Sequence, residues 1–401
     1  MLSLSKARYT CTSCGDCCAG WQIPLMEPGE ADQYRKYAGQ LISPERLKKA
    51  IGKSRLLGDQ EIEMLALVGT ACPVLKDDMM CAIHGQFGAQ AKPHVCQIFP
   101  MRFVATPTEV RVGLSFACPA VVDNEGPPLD EQRAEIEALY KNSVQNTRYL
   151  IRVPAELTLA EGVKLPWSDA QPLIAALADA FATEKTLLRR AGLACALMAL
   201  VETKMAEGEP FATAFAAAKA GAGALLDEAL AAPPNVERLA NALFRTLVKV
   251  TVLGSTAKGR VGNVFSALFG GGKVALRTGG EVDWKDAEAV APGLGSDGET
   301  LFTRWFIDAI ESCTFFGDPS FGLSLSSGLD LLVVSAGVGA FLARAEAAHA
   351  GRKTVSYEDA KRGLRQLDAG ITHRAEMPPR FERALSATDS IDLLRVQLAN
   401  S

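Results

Sequence analysis

Eight of the ten cysteines in this 401-residue chain fall within its first 118 residues, and no other feature limits so strongly what the chain can fold into. The first group is Cys11-Thr-Ser-Cys14-Gly-Asp-Cys17-Cys18, and the second comprises Cys72-Pro73, Cys81-Ala-Ile-His84, Cys96 and Cys118-Pro119. Two-residue gaps let successive thiolates turn inward on one ion or cluster, and Gly15 permits the tight backbone this requires. The candidate metal ligands are therefore Cys11, Cys14, Cys17, Cys18, Cys72, Cys81, Cys96 and Cys118. Adjacent cysteines ordinarily point in different directions, so Cys17 and Cys18 are expected to serve different metals or a cluster with several irons. A single mononuclear zinc takes about four thiolates, so the count favours two centres, or one centre plus structural thiols.

Closely spaced cysteine triplets, together with a cysteine directly followed by proline, are features of ferredoxin-type ligand runs. All-thiolate ligation also suits zinc. An iron–sulfur cluster is the favoured reading and zinc the alternative. His84 and His94 lie in the same segment, but neither is needed to complete an all-cysteine site; each is expected to orient a ligand or satisfy a backbone group. Trp21 follows the first group closely and is expected to cover it. Cys195 and Cys313 sit in apolar helical patterns beside Met198 and Ile310, and read as buried packing.

Charge narrows the partners. With 42 Lys+Arg against 46 Asp+Glu, the chain lacks the basic excess of a protein that neutralises phosphates, so no nucleic-acid partner is expected. Lys6 and Arg8 are followed by Cys11 with no apolar run between, so no signal peptide is expected and the expected location is the cytoplasm. Thiols stay reduced there, and clustered cysteines more often bind metal than pair as disulfides. Leu331 to Ala343 is a run of 13 uncharged residues between Asp330 and Arg344. That is short of the roughly 20 a spanning helix needs, so a buried helix is expected rather than a membrane anchor.

The sequence changes character near residue 124. Residues 1–123 hold all eight clustered cysteines and carry a net charge of +1, against −5 for the remainder. Asn124-Glu-Gly-Pro-Pro128 reads as a connector. Helical patterns dominate beyond it. Asp130 is expected to cap a helix carrying Ile136, Leu139, Tyr140 and Val144, and Asn235 a second carrying Leu239, Leu243, Leu247 and Val250 with Gly254 as its stop. Further helices are expected from Thr183 to Met205 and around Trp305, Leu332 and Leu394. The stretch near 270–298 is too glycine-rich for a packed element, except that Lys273–Arg277 and Gly280–Trp284 can pair as a small hairpin. The expected fold class is mainly α: a small irregular cysteine-rich metal-binding domain over 1–123, then a larger, mostly helical domain over 124–401.

The Cys-x-x-Cys-x-x-Cys-Cys run, Cys72-Pro-Val-Leu75, Cys81-Ala-Ile-His84 and Lys92-Pro93-His-Val-Cys96-Gln-Ile-Phe99-Pro100 together resemble the CxxCxxCC cysteine-cluster family, a zinc- or iron-chelating domain, over roughly residues 9–120. Members of this length with a helical extension resemble flagellin lysine-N-methylases. Gly20-Trp21-Gln-Ile23 and Phe116-Ala-Cys118-Pro119 fit that group. The resemblance implies transfer of a methyl group from S-adenosylmethionine to lysine side chains, with flagellin or another protein as the partner. Such a reaction needs a neutral amine in line with the methyl sulfonium. The nearest approach to a Gly-rich cofactor turn is Gly221-Ala-Gly223, which sits in an Ala-rich helical stretch and reads as helix packing. A radical Cys-x-x-x-Cys-x-x-Cys pattern is missing, since Trp21 stands where its third cysteine would fall. The catalytic and cofactor-binding residues are thus unassigned. The alternative is a non-enzymatic iron–sulfur or zinc module with a helical docking surface.

Overall fold

The structure is a computed structural model. It describes residues 1–19, 23–55, 61–68, 71–236, 238–252, 272–276, 279–372, 385 and 390–398. Trp21, Gly254 and Arg277 lie outside the described residues. The chain forms two compact units.

The first unit runs from Met1 to Arg152, and its described residues form two sheets. The larger joins β1 (Leu2–Leu4), β5 (Met101–Ala105), β6 (Val110–Leu114) and β7 (Leu150–Arg152) in the order β1-β6-β5-β7. β5 and β6 form an antiparallel hairpin, whereas β1 and β7 add to it in parallel. Thr106 closes the hairpin, its N–H donating to the Glu109 carbonyl at 2.8 Å. The smaller sheet is antiparallel, with β2 (Ile23–Leu25) and β3 (Ile51–Arg55) flanking β4 (Glu61–Leu65). Helices fill the connections: α1 (Glu30–Ala38), α2 (Pro44–Ala50), α3 (Ala82–Phe87), α4 (His94–Ile98), α5 (Pro119–Asp123) and α6 (Arg133–Ser143). Ser43 caps α2 by accepting the Arg46 N–H, and Pro44 occupies the first turn, where a missing N–H costs nothing.

Two expectations for this region change. A domain ending at residue 123 was expected, but β7 pairs with β5 and carries the unit on to Arg152. The domain is also not irregular, because its apolar runs build sheet that is covered on both faces; the adjacent Phe103 and Val104, and Val112 and Leu114, are all buried. Asp130 does not cap α6. It pairs with Arg133 at 2.7 Å within a 3₁₀ turn, Leu129–Gln132, that precedes the regular helix. Ile136 and Val144 are buried as their spacing predicts.

The second unit begins at Val153. It opens with a hairpin of β8 (Glu156–Ala160) and β9 (Val163–Pro166), then becomes helical. The succession is α7 (Trp167–Thr183), α8 (Leu187–Ala206), α9 (Phe211–Ala231) and α10 (Arg238–Val252). After the short antiparallel hairpin of β10 (Lys273–Ala275) and β11 (Glu281–Asp283) come α11 (Trp284–Glu288), α12 (Gly295–Glu311), α13 (Leu325–His349), α14 (Tyr357–Thr372) and α15 (Ser390–Leu398). Helix expected from Thr183 is interrupted: α7 ends there, and Thr186 starts α8 by accepting the Arg189 N–H. Gly221 and Gly223 lie within α9, with Ala222 buried between them. The glycine-rich stretch is better packed than expected. Val274 and Val282 are buried, and the Trp284 ring stacks on Phe341 with centroids 4.3 Å apart.

Helix α13 is the core of this unit and packs against α10, α11, α14 and α15. It is long and apolar enough to cross a membrane, yet 89% of its most apolar window is buried within the protein. The charge at its end is also satisfied inside: Arg344 donates to the carbonyls of Val290 and Glu288 and to the Gln397 side-chain oxygen. Its small residues admit close neighbours. A Cβ on Gly363 of α14 would stand 2.6 Å from the Gly339 oxygen and from the Ala343 nitrogen of α13. Cys313 is buried, as expected, whereas Cys195 is only half-buried.

Candidate metal centre

The first cysteine group folds as a tight turn. Ser13 and Gly15 adopt positive φ, and the 3₁₀ turn Asp16–Cys18 follows directly. Gly15 is required twice over. Its φ of +70 suits glycine, and a Cβ there would stand 2.7 Å from Cε of Met79 and 3.0 Å from the Met79 carbonyl oxygen. The turn also brings the adjacent thiols together: Sγ of Cys17 and Cys18 are 3.9 Å apart. This corrects the expectation that neighbouring cysteines diverge. A tetrahedral thiolate site with bonds of about 2.3 Å has an edge of about 3.8 Å, so this pair already stands at ligand spacing.

Cys72 is tied to this turn through the backbone, and the other cysteines follow on separate elements. The Cys72 N–H donates to the Cys18 carbonyl at 2.7 Å, and Ala19 and Ala71 form an isolated β-bridge beside it. The chain then folds back through Lys76–Met80, so that a second bridge sets Cys81 opposite Leu75. Cys96 sits on α4. Cys118 precedes Pro119 at the start of α5 and donates its N–H to the Ser115 carbonyl at 3.2 Å. Cys11 is drawn toward this corner by its neighbours. Arg8 Nε donates to the Gly126 carbonyl at 2.8 Å and the Tyr9 N–H to the Pro127 carbonyl at 3.2 Å. Gly126, at φ +96, allows the approach, because a Cβ there would stand 2.6 Å from the Thr10 nitrogen.

Electrostatics tie these groups to one another. A hydrogen bond from Cys18 lowers the pKa of Cys17, against burial, and the Lys92 ammonium lowers it further. The same hydrogen bond raises Cys18. Burial raises Cys72 and Cys96, while Cys118 is pushed by burial to about 11. Two phenols border the thiols, Tyr34 buried and Tyr9 half-buried. Tyr34 Oη lies 3.9 Å from Sγ of Cys72, and burial and the thiolate charges hold Tyr9 and Tyr34 above the ordinary tyrosine range.

The sequence gives no sign of a buried carboxylate beside this group. The side chain of Glu30 is fully shielded from solvent. It accepts the backbone N–H of His94 at 2.6 Å, that of Glu27 at 3.1 Å and the Tyr149 hydroxyl at 2.8 Å. The first contact holds the start of α4, and so Cys96. His94 Nδ1 stands 3.6 Å from the Glu30 carboxylate, too far for a hydrogen bond. His84 is exposed on α3.

The donor set fits zinc or iron by its chemistry, being all thiolate, with one pair at ligand spacing. Among the described residues, no three His, Cys, Asp or Glu side chains close on one point.

Residues 10–118 match the family described as "CxxCxxCC: Putative zinc- or iron-chelating domain". The flagellar biosynthetic protein FliU of Salmonella muenchen is 31% identical over 123 residues, which cover 28% of this chain and 68% of that protein. The chain belongs to the CxxCxxCC family. Two further relatives of this CxxCxxCC protein are named lysine-N-methylase. That of Salmonella typhimurium is 32% identical over 124 residues and that of Salmonella choleraesuis 31% over 123. In both, the match spans 28% of this chain but 29% of the relative's own length. No solved structure matches the chain.

Proposed function

We propose that this CxxCxxCC protein carries zinc or iron on the thiolates of Cys11, Cys14, Cys17, Cys18, Cys72, Cys81, Cys96 and Cys118, with an iron–sulfur cluster as the favoured form. We further propose that it is a protein-lysine methylase, moving the methyl group of S-adenosylmethionine onto lysine side chains of flagellin in the cytoplasm. The observation that carries the metal reading is the 3.9 Å approach of Cys17 and Cys18, made by a turn that only Gly15 permits. The names of the relatives support the methylase reading. Anaerobic purification tests the metal: a brown protein with a broad visible band carries iron–sulfur, and a colourless one with bound zinc does not. Incubation with labelled S-adenosylmethionine and flagellin tests the reaction, and transfer to lysine is the expected result.

A second reading is favoured by the confinement of the likeness to 28% of the chain. In it, the cysteine unit is a metal or redox module and the helical unit a docking surface. Calorimetry separates the two readings, since only the methylase binds S-adenosylmethionine.

A further inference from the structure

Building on the metal–thiolate reading above, we propose that Tyr34 is a positioning residue of the centre: its buried phenol donates its O–H to the thiolate sulfur of Cys72.

Tyr34 lies one turn after Glu30 on α1, a helix that carries no cysteine, and the two are 1% and 2% exposed. Residues four apart share a helix face. Through that face Glu30 holds the start of α4, and Tyr34 reaches Cys72, with Oη 3.9 Å from Sγ. Among the described residues, that sulfur is the one hydrogen-bond partner of the phenol oxygen. A hydroxyl taken out of water costs free energy unless it is hydrogen-bonded. Packing does not account for the oxygen, since a phenylalanine ring would fill the same place among Leu25, Val74 and Ile83. Tyr149, also buried, differs in this respect. Its hydroxyl donates to the Glu30 carboxylate at 2.8 Å and accepts the Met26 N–H at 3.1 Å, so no sulfur is needed to satisfy it.

The direction of the Tyr34 bond follows from the chemistry of the sulfur. A neutral thiol can donate or accept, but a thiolate has no proton and only accepts. The phenol is then the donor. The Cys72 backbone is held on both sides, its N–H by the Cys18 carbonyl at 2.7 Å and its carbonyl by the Leu75 N–H at 3.0 Å. What remains is rotation about Cα–Cβ, which a donor at the sulfur restrains. A hydrogen bond from an outer group both orients a ligating atom and draws charge from it, and so bears on metal affinity and on the potential of an iron–sulfur cluster.

The experiment uses the full metal-loaded chain. Tyr34→Phe removes the hydroxyl and nothing else. Tyr37→Phe is the control, on the same helix, with its ring packed on Phe87 and away from sulfur. A chain that carries an iron–sulfur cluster is read by its midpoint potential. A chain that carries zinc is read by its zinc affinity against a chelator, and by the sulfur-to-cobalt charge-transfer band after replacement with Co(II). Tyr34→Phe is expected to lower the potential, or to weaken zinc binding about tenfold and move the band to longer wavelength. Tyr37→Phe should change none of these. 3-Fluorotyrosine placed at position 34 alone makes the phenol a stronger donor and should shift potential or band the opposite way. That chain keeps the ring and the hydroxyl, so it decides the matter even where Tyr34→Phe does not fold. A potential or band unmoved by either change overturns the proposal and leaves the metal reading intact, and so does a lower urea midpoint as the sole effect of Tyr34→Phe. A wild-type chain that binds no metal under any loading condition overturns both.

Discussion

The carboxylate of Glu30 accepts the backbone N–H of His94 at 2.6 Å, so an acid from α1 caps the short helix that bears Cys96. An anion at a helix N-terminus is favoured by the unpaired N–H groups there. Here it also accepts the Tyr149 hydroxyl and the Glu27 N–H. Glu30→Ala leaves these three donors without their acceptor. Hydrogen bonds to a charged group are worth about 1.5–3 kcal/mol each, and a donor left buried and unpaired carries a similar cost. The expected loss is about 3 kcal/mol or more, read as a lower urea midpoint for the first unit. An unchanged midpoint would show that the network contributes nothing.

The same pair makes stability depend on pH. Burial raises the pKa of Glu30, but the adjacent His94 ring and hydrogen bonds from Tyr149 and the backbone outweigh it and leave it below the ordinary value. The Glu30 carboxylate raises that of His94, against partial burial. A depressed acid stabilises above its unfolded pKa of about 4.3, and this is lost as pH falls through the folded value. A raised histidine stabilises below its unfolded pKa of about 6.5, and this is lost as pH rises through the folded value. The pair therefore contributes most between about pH 4.3 and 6.5. Urea midpoints of the metal-free chain at pH 5.5 and 8 should differ more in the wild type than in His94→Gln; equal differences would refute the assignment.

Metal removal should act on the first unit. Where thiolates fold around an ion, its binding energy is folding energy. Chelation is expected to lower the unfolding temperature of residues 1–152 and leave the helices of the second unit unaffected. Hydrogen exchange read segment by segment would detect this, and uniform loosening of both units would contradict it.

Gly363→Ala tests the core of the second unit. In a helix the change ordinarily gains up to about 1 kcal/mol. Here the new Cβ would meet backbone atoms of α13 at 2.6 Å, and backbone cannot rotate away as a side chain can. Overpacking of this kind costs about 1–3 kcal/mol, so a lower melting temperature is expected, with metal content unchanged. A stabilised variant would mean that α13 and α14 separate more easily than their packing implies.

The limits of sequence reading follow from the range of the interactions. The α13 core run and the β10–β11 hairpin were legible because their signals are local: continuous apolarity, and two short strands around glycines. The Cys-x-x-Cys-x-x-Cys-Cys spacing was legible for the same reason. Glu30 was not, because its partners His94 and Tyr149 lie 64 and 119 residues away, and no pattern near Glu30 marks it. Cys17 and Cys18 were misread for a conformational reason, since a 3₁₀ turn after a left-handed glycine turns both thiols the same way. The boundary at 123 failed because β7 has only three residues, too few for periodicity to register.

The parallel pairing of Leu2–Leu4 with Val110–Val112 has a bearing on biosynthesis. A nascent chain made from the amino end holds its first strand unmatched until more than a hundred further codons have been read, and the outermost strand arrives later still. By the time that outermost strand, Leu150–Arg152, has been made, all eight cysteines of the first 118 residues already stand in the unfinished polypeptide.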